Sequence, residues 1–203
     1  KKSNSSENIF LTFKKIKRFL KVISYQALIV LSAYSAFKGV DYYSQYFYDI
    51  LNYSKEKSAA TMSNLSYLRP ICAITAGIIA DKISATKQSI FLFIILSISF
   101  LYLSVISLTM HIEKLILINI LTSMIAVFAL RGIYFCYLKE TNIPSSLTGF
   151  SVGIISLVGF FPDVYIGPLF GYFLDNYNKE LSYNLCYIFL LIISIIGLIL
   201  SLK

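Results

Sequence analysis

Apolar stretches long enough to cross a lipid bilayer fill most of this chain. A hydrocarbon core about 30 Å thick needs about 20 apolar residues in helical form. The pattern therefore predicts an all-α membrane bundle of six spans and leaves no room for a soluble domain between them. We predict a transmembrane domain over 22–203, with helices at roughly 22–48, 59–80, 88–109, 115–137, 147–174 and 183–201.

The distribution of charge predicts the orientation of the spans. Charged residues make up 14% of the chain, against about 25% in a soluble domain, and the mean hydropathy is +0.73. Seven of the 18 Lys and Arg residues lie within residues 1–21; with the loops and the C-terminal end on that side the number is 11, against four in the loops on the other side. Positive residues favour the cytoplasmic side, so both termini are expected there. This location argues against nucleic acid as a partner, although the basic tail could also contact anionic lipid headgroups.

Residues 1–21 are interpreted as a basic cytoplasmic tail. They lack the apolar core of a signal peptide, and the first methionine of the chain is Met62. We therefore expect further residues upstream, with this tail as the linker from an absent N-terminal part. Its first residues have a flexible, disorder-prone composition.

The cysteines and the histidine offer no metal-binding pattern. Cys72, Cys136 and Cys186 are isolated in different spans, so we interpret them as small apolar packing residues. His111, the only histidine, is expected in a short outer turn rather than as a ligand or base. No metal or cofactor is predicted.

A polar stripe runs along one face of the first span. Lys or Asp at the centre of a bilayer costs about 2.5–3.5 kcal/mol, so this face cannot contact lipid. Lys38 and Asp41 could merely neutralise each other, but the length of the stripe favours a watery cavity. Its members share the spacing of one helical face: Tyr34, Lys38, Asp41, Tyr42, Gln45 and Asp49.

The second and fourth spans each contain an arginine. Arg69 lies about midway along its span and needs a partner, and Pro70 beside it predicts a kink. Arg131 could extend outward to the interface or point into the bundle. The third and sixth spans are apolar all round and are expected to be scaffold helices.

The fifth span combines glycines, prolines and a carboxylate. Gly149 with Gly153, and Gly167 with Gly171, have the G-x-x-x-G spacing that allows close helix packing. Gly159 and Pro162 weaken the helix between those pairs, and Asp163 adds a charge at that depth. Two readings stay open, a simple kink with a paired aspartate or the interrupted helix of a transporter binding site.

The second span ends in Gly77-Ile-Ile-Ala-Asp81-Lys82-Ile-Ser84-Ala-Thr-Lys87. This segment resembles the signature loop of the major facilitator superfamily, G-x-x-x-D-[RK]-x-G-[RK]-[RK]. Gly77, Asp81 and Lys82 match, whereas Ser84 replaces a glycine and only Lys87 remains of the later basic pair. The fifth span, with Pro144, Pro162, Pro168 and Asp175, looks like the eleventh helix of bacterial members.

The resemblance implies a C-terminal six-helix half, a missing N-terminal six-helix half as its partner, and transport by alternating access. Independently, Asp81 at the end of its helix could accept from free backbone N–H groups at the start of the fifth span, near Asn142. Such a contact would hold one conformation. We expect Asp81→Ala or Asp81→Asn to shift the conformational balance without unfolding the bundle.

The function expected from the resemblance is transport of a small solute. Lys38 and Arg131 could hold an anionic or hydroxylated solute, and Asp41 or Asp163 could titrate if protons drive transport. The cavity candidates are Lys38, Asp41, Tyr42, Gln45, Arg131 and Asp163.

Two other functions compete with transport. The chain could be a transporter remnant, or a half that pairs with a separately encoded half. Gly149-Phe-Ser151-Val-Gly153 also matches the G-x-S-x-G of serine hydrolases, but His111 should lie across the membrane from Ser151, so no enzyme is expected.

Overall fold

A computed structural model describes residues 3–106, 112–141 and 143–203, with side chains from residue 19 onward except that of Ile106. All of the regular elements in these ranges are helical. A π-helical turn, Tyr102–Ile106, follows the fifth helix. The α-helices are α1 Ser3–Val40, α2 Tyr43–Asp49, α3 Lys55–Ser66, α4 Leu68–Ile83, α5 Ala85–Leu101, α6 Glu113–Ile133, α7 Tyr137–Glu140, α8 Ser145–Gly159, α9 Pro162–Asn176 and α10 Lys179–Ser201.

Helices long and apolar enough to cross a membrane occur at five places in the described part of the chain. They are Phe19–Asp49, Ala85–Val105, Glu113–Ile133, Ser145–Asn176 and Lys179–Ser201. The prediction of an α-helical membrane bundle is confirmed. These five segments agree with the predicted first, third, fourth, fifth and sixth spans.

The second predicted span, at 59–80, is divided between two helices. α3 has 12 residues and α4 has 16, so each is shorter than the roughly 20 residues of a full crossing. Pro70 lies in the first turn of α4, where its missing N–H and its ring prevent the helix from continuing out of α3. The break that Pro70 predicts is present, and it divides this span between α3 and α4.

Some sequence-based predictions concern segments that the structure describes only in part. The backbone of α1 begins at Ser3, so residues 3–21 of the predicted tail are helical and continuous with the first span. That this tail links the chain to an N-terminal half stays a prediction. The basic side chains of residues 1–18 lie outside the described side chains. His111 and Asn142 lie outside the described residues.

Helix α1 lies at the centre of the bundle and packs against α6, α8, α9 and α10. Glycines permit the closest approaches between these and neighbouring helices. A Cβ at Gly132 would stand 2.6 Å from the Ala73 carbonyl oxygen of α4, and one at Gly197 would stand 2.4 Å from the Phe93 ring. Neither glycine belongs to a motif that the sequence analysis selected.

The predicted G-x-x-x-G contacts of the fifth span are wrong within this chain. A Cβ added at Gly149, Gly153, Gly167 or Gly171 would meet no atom within 4 Å, and the same is true of Gly77. Small residues permit close packing but do not require it, so the spacing alone cannot identify the neighbour. The middle glycine, Gly159, is the one that packs closely against α1.

Candidate functional site

The interruption of the fifth span brings a carboxylate to the central helix. α8 ends at Gly159 and α9 begins at Pro162, because proline is favoured at the first helical position but not inside a helix. A Cβ at Gly159 would lie 2.6 Å from Cγ1 of Val30, so glycine lets α8 approach α1 closely at this level. Asp163 then lies in the first turn of α9, where the helix dipole favours a negative charge.

Asp163 joins Tyr34 and Lys38, near the end of α1, and Asp41, in the turn that follows, in a network that we call the polar cluster. The Tyr34 hydroxyl lies 3.1 and 2.9 Å from the two carboxylate oxygens of Asp163, to which it donates. Lys38 Nζ lies 2.9 Å from Asp41 Oδ2 and 3.4 Å from Asp163 Oδ1. The predicted pairing of Lys38 with Asp41 is present, and Lys38 also joins two separate spans.

Two arginines lie beside the polar cluster on the ring of Phe37. The Arg131 guanidinium carbon lies 4.0 Å from the ring centroid, so this side chain points toward α1 rather than outward. Arg69 of α4 lies 5.3 Å from the same centroid and 5.3 Å from that of Phe128. The partners of Arg69 within the membrane are therefore aromatic rings, through cation–π contacts.

The other predicted cavity residues separate at the break between α1 and α2. Tyr42 is half-buried, and its ring lies 4.9 Å from that of Phe170 in α9. Gln45 is exposed. The helix ends at Val40 and resumes at Tyr43, so the stripe does not continue as one straight face.

Asp49, the last member of the stripe, belongs to a different set of contacts. It lies 2.7 Å from Lys179 Nζ and accepts a 2.8 Å hydrogen bond from the Tyr183 hydroxyl, so it joins α2 to the start of α10. Nearby, the Tyr53 hydroxyl donates to the Glu113 carboxylate at the start of α6. This hydrogen bond, together with burial, raises the pKa of Tyr53 to about 12.

The segment at residues 77–87, which we call the signature loop because it resembles that of the superfamily, contains a strained residue. Ser84, at the position where the superfamily has glycine, has φ 118° and ψ 144°, a backbone region that residues other than glycine rarely adopt. Its hydroxyl oxygen accepts from the Lys87 N–H and caps α5. A glycine would adopt this backbone conformation without strain.

The predicted contact of Asp81 with backbone N–H groups near Asn142 stays a prediction, since Asn142 lies outside the described residues. Asp81 Oδ1 lies 3.3 Å from Lys139 Nζ, and both side chains are mostly exposed. The carboxylate that accepts from free backbone N–H groups is Glu140, which binds the N–H groups of Ala85 and Thr86 at the start of α5. Glu140 therefore caps α5, a contact that the sequence did not predict.

Glu140 and Tyr34 are the residues that sequence reasoning missed. Glu140 also accepts a 2.6 Å hydrogen bond from the Thr86 hydroxyl, so it holds α7 against the start of α5. Its only signal in the sequence was a carboxylate just after the fourth span. Tyr34 was assigned to the polar stripe but not to the cavity candidates, since nothing in the spacing identified Asp163 as its partner.

Ser151, the serine of the G-x-S-x-G motif, makes no hydrogen bond to a basic side chain among the described residues. The Ser151 hydroxyl is buried and donates to the Leu147 carbonyl one turn earlier in α8. Among the described residues, no three His, Cys, Asp or Glu side chains gather as a metal site. The predictions that the chain is no enzyme and binds no metal or cofactor stay predictions.

Comparison with known proteins yields a short match. No protein-family model matches the chain, and no solved structure gives a significant match. Over 57 residues the chain is 37% identical to Inner membrane protein YqcE of Escherichia coli strain K12. The match covers 28% of this chain and 13% of that protein. Together with its membrane-spanning helices, this similarity supports an integral inner-membrane protein.

Proposed function

We propose that this chain is the C-terminal six-helix half of a secondary transporter of the major facilitator type, with both termini in the cytoplasm. A small solute would bind on the face that carries the polar cluster. A second set of helices, the missing N-terminal half, would cover this face, and rocking of the two halves would expose the solute to each side in turn. Bacterial inner-membrane location follows from the similarity to YqcE.

The observation that carries this proposal is a half-exposed set of charges near the middle of two membrane-spanning segments. The side chains of Asp41 and Asp163 are 50% and 49% exposed, and that of Lys38 is 28% exposed. Charged groups at this depth are costly in contact with lipid, so they require a water-filled cavity or covering helices. A purely structural ion pair would need no such opening.

The balance of charge favours an anionic or hydroxylated solute. Lys38, Arg69 and Arg131 bring three positive charges to this region, and Asp41 and Asp163 bring two negative ones. No ion pair joins either arginine to a carboxylate in the described part of the chain, and both arginines are exposed. Each therefore has guanidinium donors available for a carboxylate or phosphate group.

Solute binding can be tested with the purified protein and a panel of small carboxylates, phosphate esters and polyols. A ligand that binds the folded state raises its melting temperature by mass action. We expect stabilisation by an anionic member, lost in Lys38→Met and Arg131→Met and retained in Lys114→Met, an exposed lysine at the start of α6. Stabilisation that survives both cavity substitutions would contradict this site.

Coupling to protons is tested at Asp163 in vesicles that contain this chain together with its N-terminal half and the solute so identified. We expect Asp163→Asn to abolish proton-driven uptake while leaving solute exchange, since exchange needs no net proton release. Asp175→Asn, on the exposed end of the same helix, is the matched control. Full proton-driven uptake in Asp163→Asn would remove this residue from coupling but would leave the binding site intact.

A further inference from the structure

An apolar groove of about 390 Å³ lies between α4, α5 and α6, apart from the polar cluster. Its walls are aliphatic and aromatic, and its exposed rim includes Ile79 and Phe91. The groove extends from Ile83 at the end of α4 to Cys72, eleven residues earlier, a rise of about 16 Å. One leaflet of a hydrocarbon core is about 15 Å thick, so the groove matches the depth of a single acyl chain.

Polar groups occur at one end of this groove. Lys87 and Gln88, in the first turn of α5, line it beside Ile83. Lys87 is exposed, whereas Gln88 is 9% exposed and its Oε1 has no hydrogen-bond partner among the described residues. A buried acceptor without a donor is destabilising, so Gln88 marks a place where a ligand with a donor group would be stabilised.

We propose that this groove is a binding site for phosphatidylglycerol. One acyl chain lies along the apolar walls, the phosphate contacts the Lys87 ammonium, and a glycerol hydroxyl donates to Gln88 Oε1. Lys87 supplies the charge complementarity for an anionic headgroup, and the unpaired acceptor distinguishes a hydroxylated headgroup from a phosphate alone. The depth of the groove favours a lipid over a soluble anion, which would not fill it.

Tryptophan fluorescence gives a local test because the natural chain contains no tryptophan. Phe91→Trp places a reporter on the groove rim, and Ile192→Trp places one on the exposed face of α10 as a control; these positions are 62% and 53% exposed. The protein is reconstituted in phosphatidylcholine vesicles to which brominated phosphatidylglycerol or brominated phosphatidylcholine is added. Bromine quenches a tryptophan that its acyl chain contacts.

We expect brominated phosphatidylglycerol to quench the groove reporter at an apparent affinity about fivefold higher than brominated phosphatidylcholine. The α10 reporter should show no preference. Lys87→Ala should abolish the preference at the groove, whereas Lys203→Ala, an exposed lysine on the same predicted side, should retain it. Gln88→Leu should reduce the preference, since it removes the acceptor with little change of volume.

A second variant separates this site from general contact with lipid. Thr75 is exposed and lines the groove, so Thr75→Phe should fill it without disturbing the core and should lower quenching of the groove reporter by either lipid. Equal quenching by the two lipids at Phe91→Trp would overturn the proposal. A change of oligomeric state in Thr75→Phe, with no dependence on lipid, would overturn it as well and would identify the groove as a protein interface.

Discussion

Two lysine–aspartate pairs in this molecule have nearly the same geometry and very different surroundings. Lys38 Nζ lies 3.4 Å from Asp163 Oδ1, and Lys139 Nζ lies 3.3 Å from Asp81 Oδ1. The first pair joins two membrane-spanning segments and lies in the polar cluster. The second joins the end of α4 to the short helix α7, with side chains 75% and 69% exposed.

The surroundings of such an ion pair, rather than its N–O distance, therefore determine how much the pair contributes to the stability of the folded state. An exposed pair is screened by water and is worth about 0–1 kcal/mol. The polar cluster is less exposed than the Lys139–Asp81 pair, so water replaces a lost cation less fully in the cluster and the loss costs more. In the signature loop the stronger interaction is the capping of α5 by Glu140, in which a charged group accepts from backbone N–H groups.

The largest expected effect on the two ion pairs comes from removing the two lysines in turn. Lys38→Met leaves the half-exposed carboxylates of Asp41 and Asp163 without their cation and should lower the free energy of unfolding by about 1–2 kcal/mol. Lys139→Met should lower it by less than about 1 kcal/mol. Thermal or denaturant unfolding in the same detergent measures both.

A double substitution tests whether the loss of stability comes from the unpaired carboxylate of Asp163. Lys38→Met with Asp163→Asn should recover part of the loss, because the neutral amide needs no cation. Equal destabilisation by Lys38→Met and Lys139→Met would contradict the expected difference between the two pairs. It would indicate that the polar cluster is as well solvated as the loop.

The second effect concerns the close approach that positions Asp163. Gly159→Ala places a Cβ 2.6 Å from Val30 Cγ1, and the stiff valine cannot easily move away. We expect destabilisation of about 2 kcal/mol and weaker solute binding. Gly153→Ala, at a helical position with open space, should be neutral or stabilising by up to about 1 kcal/mol. Similar unfolding curves for the two variants would show that α8 does not need this approach.

A third, smaller effect separates the two carboxylates of the signature loop. Glu140→Gln weakens the acceptor for the Ala85 and Thr86 N–H groups and should cost about 1 kcal/mol. Asp81→Asn should change stability less, while shifting the conformational balance. Accessibility of single cysteines near the loop to a water-soluble maleimide reports that balance. Unchanged labelling in Asp81→Asn would count against a switch at Asp81.

The smallest effect is a gain in stability at Ser84. Ser84→Gly removes a strained backbone conformation and loses only a modest cap, so it should stabilise the protein by up to about 1 kcal/mol. Ser84→Ala keeps the strain and loses the hydroxyl, so it should destabilise. If Ser84→Gly were the less stable of the two, the strain would not be a cost to the folded state.

Most of the helices could be predicted from the local sequence, but fewer of the contacts at the candidate site could be. Helical spans follow from apolar length, and the break at Pro162 follows from proline chemistry, so both were predictable. The pairing of Lys38 with Asp41 was predictable because it lies within one helix. The capping of α5 by Glu140 was not predicted, because spacing does not tell which helix start lies closest to a carboxylate.

By itself the sequence determined that this chain is a helical membrane protein with charges that cannot face lipid. The tertiary structure decided which charges meet: that Asp163 reaches Tyr34 and Lys38, that Arg69 and Arg131 share the Phe37 ring, and that Asp49 turns away to Lys179. Hydropathy acts along one segment and can be read from it. Contacts between segments depend on how closely the helices approach, which the packing at Gly132, Gly159 and Gly197 determines.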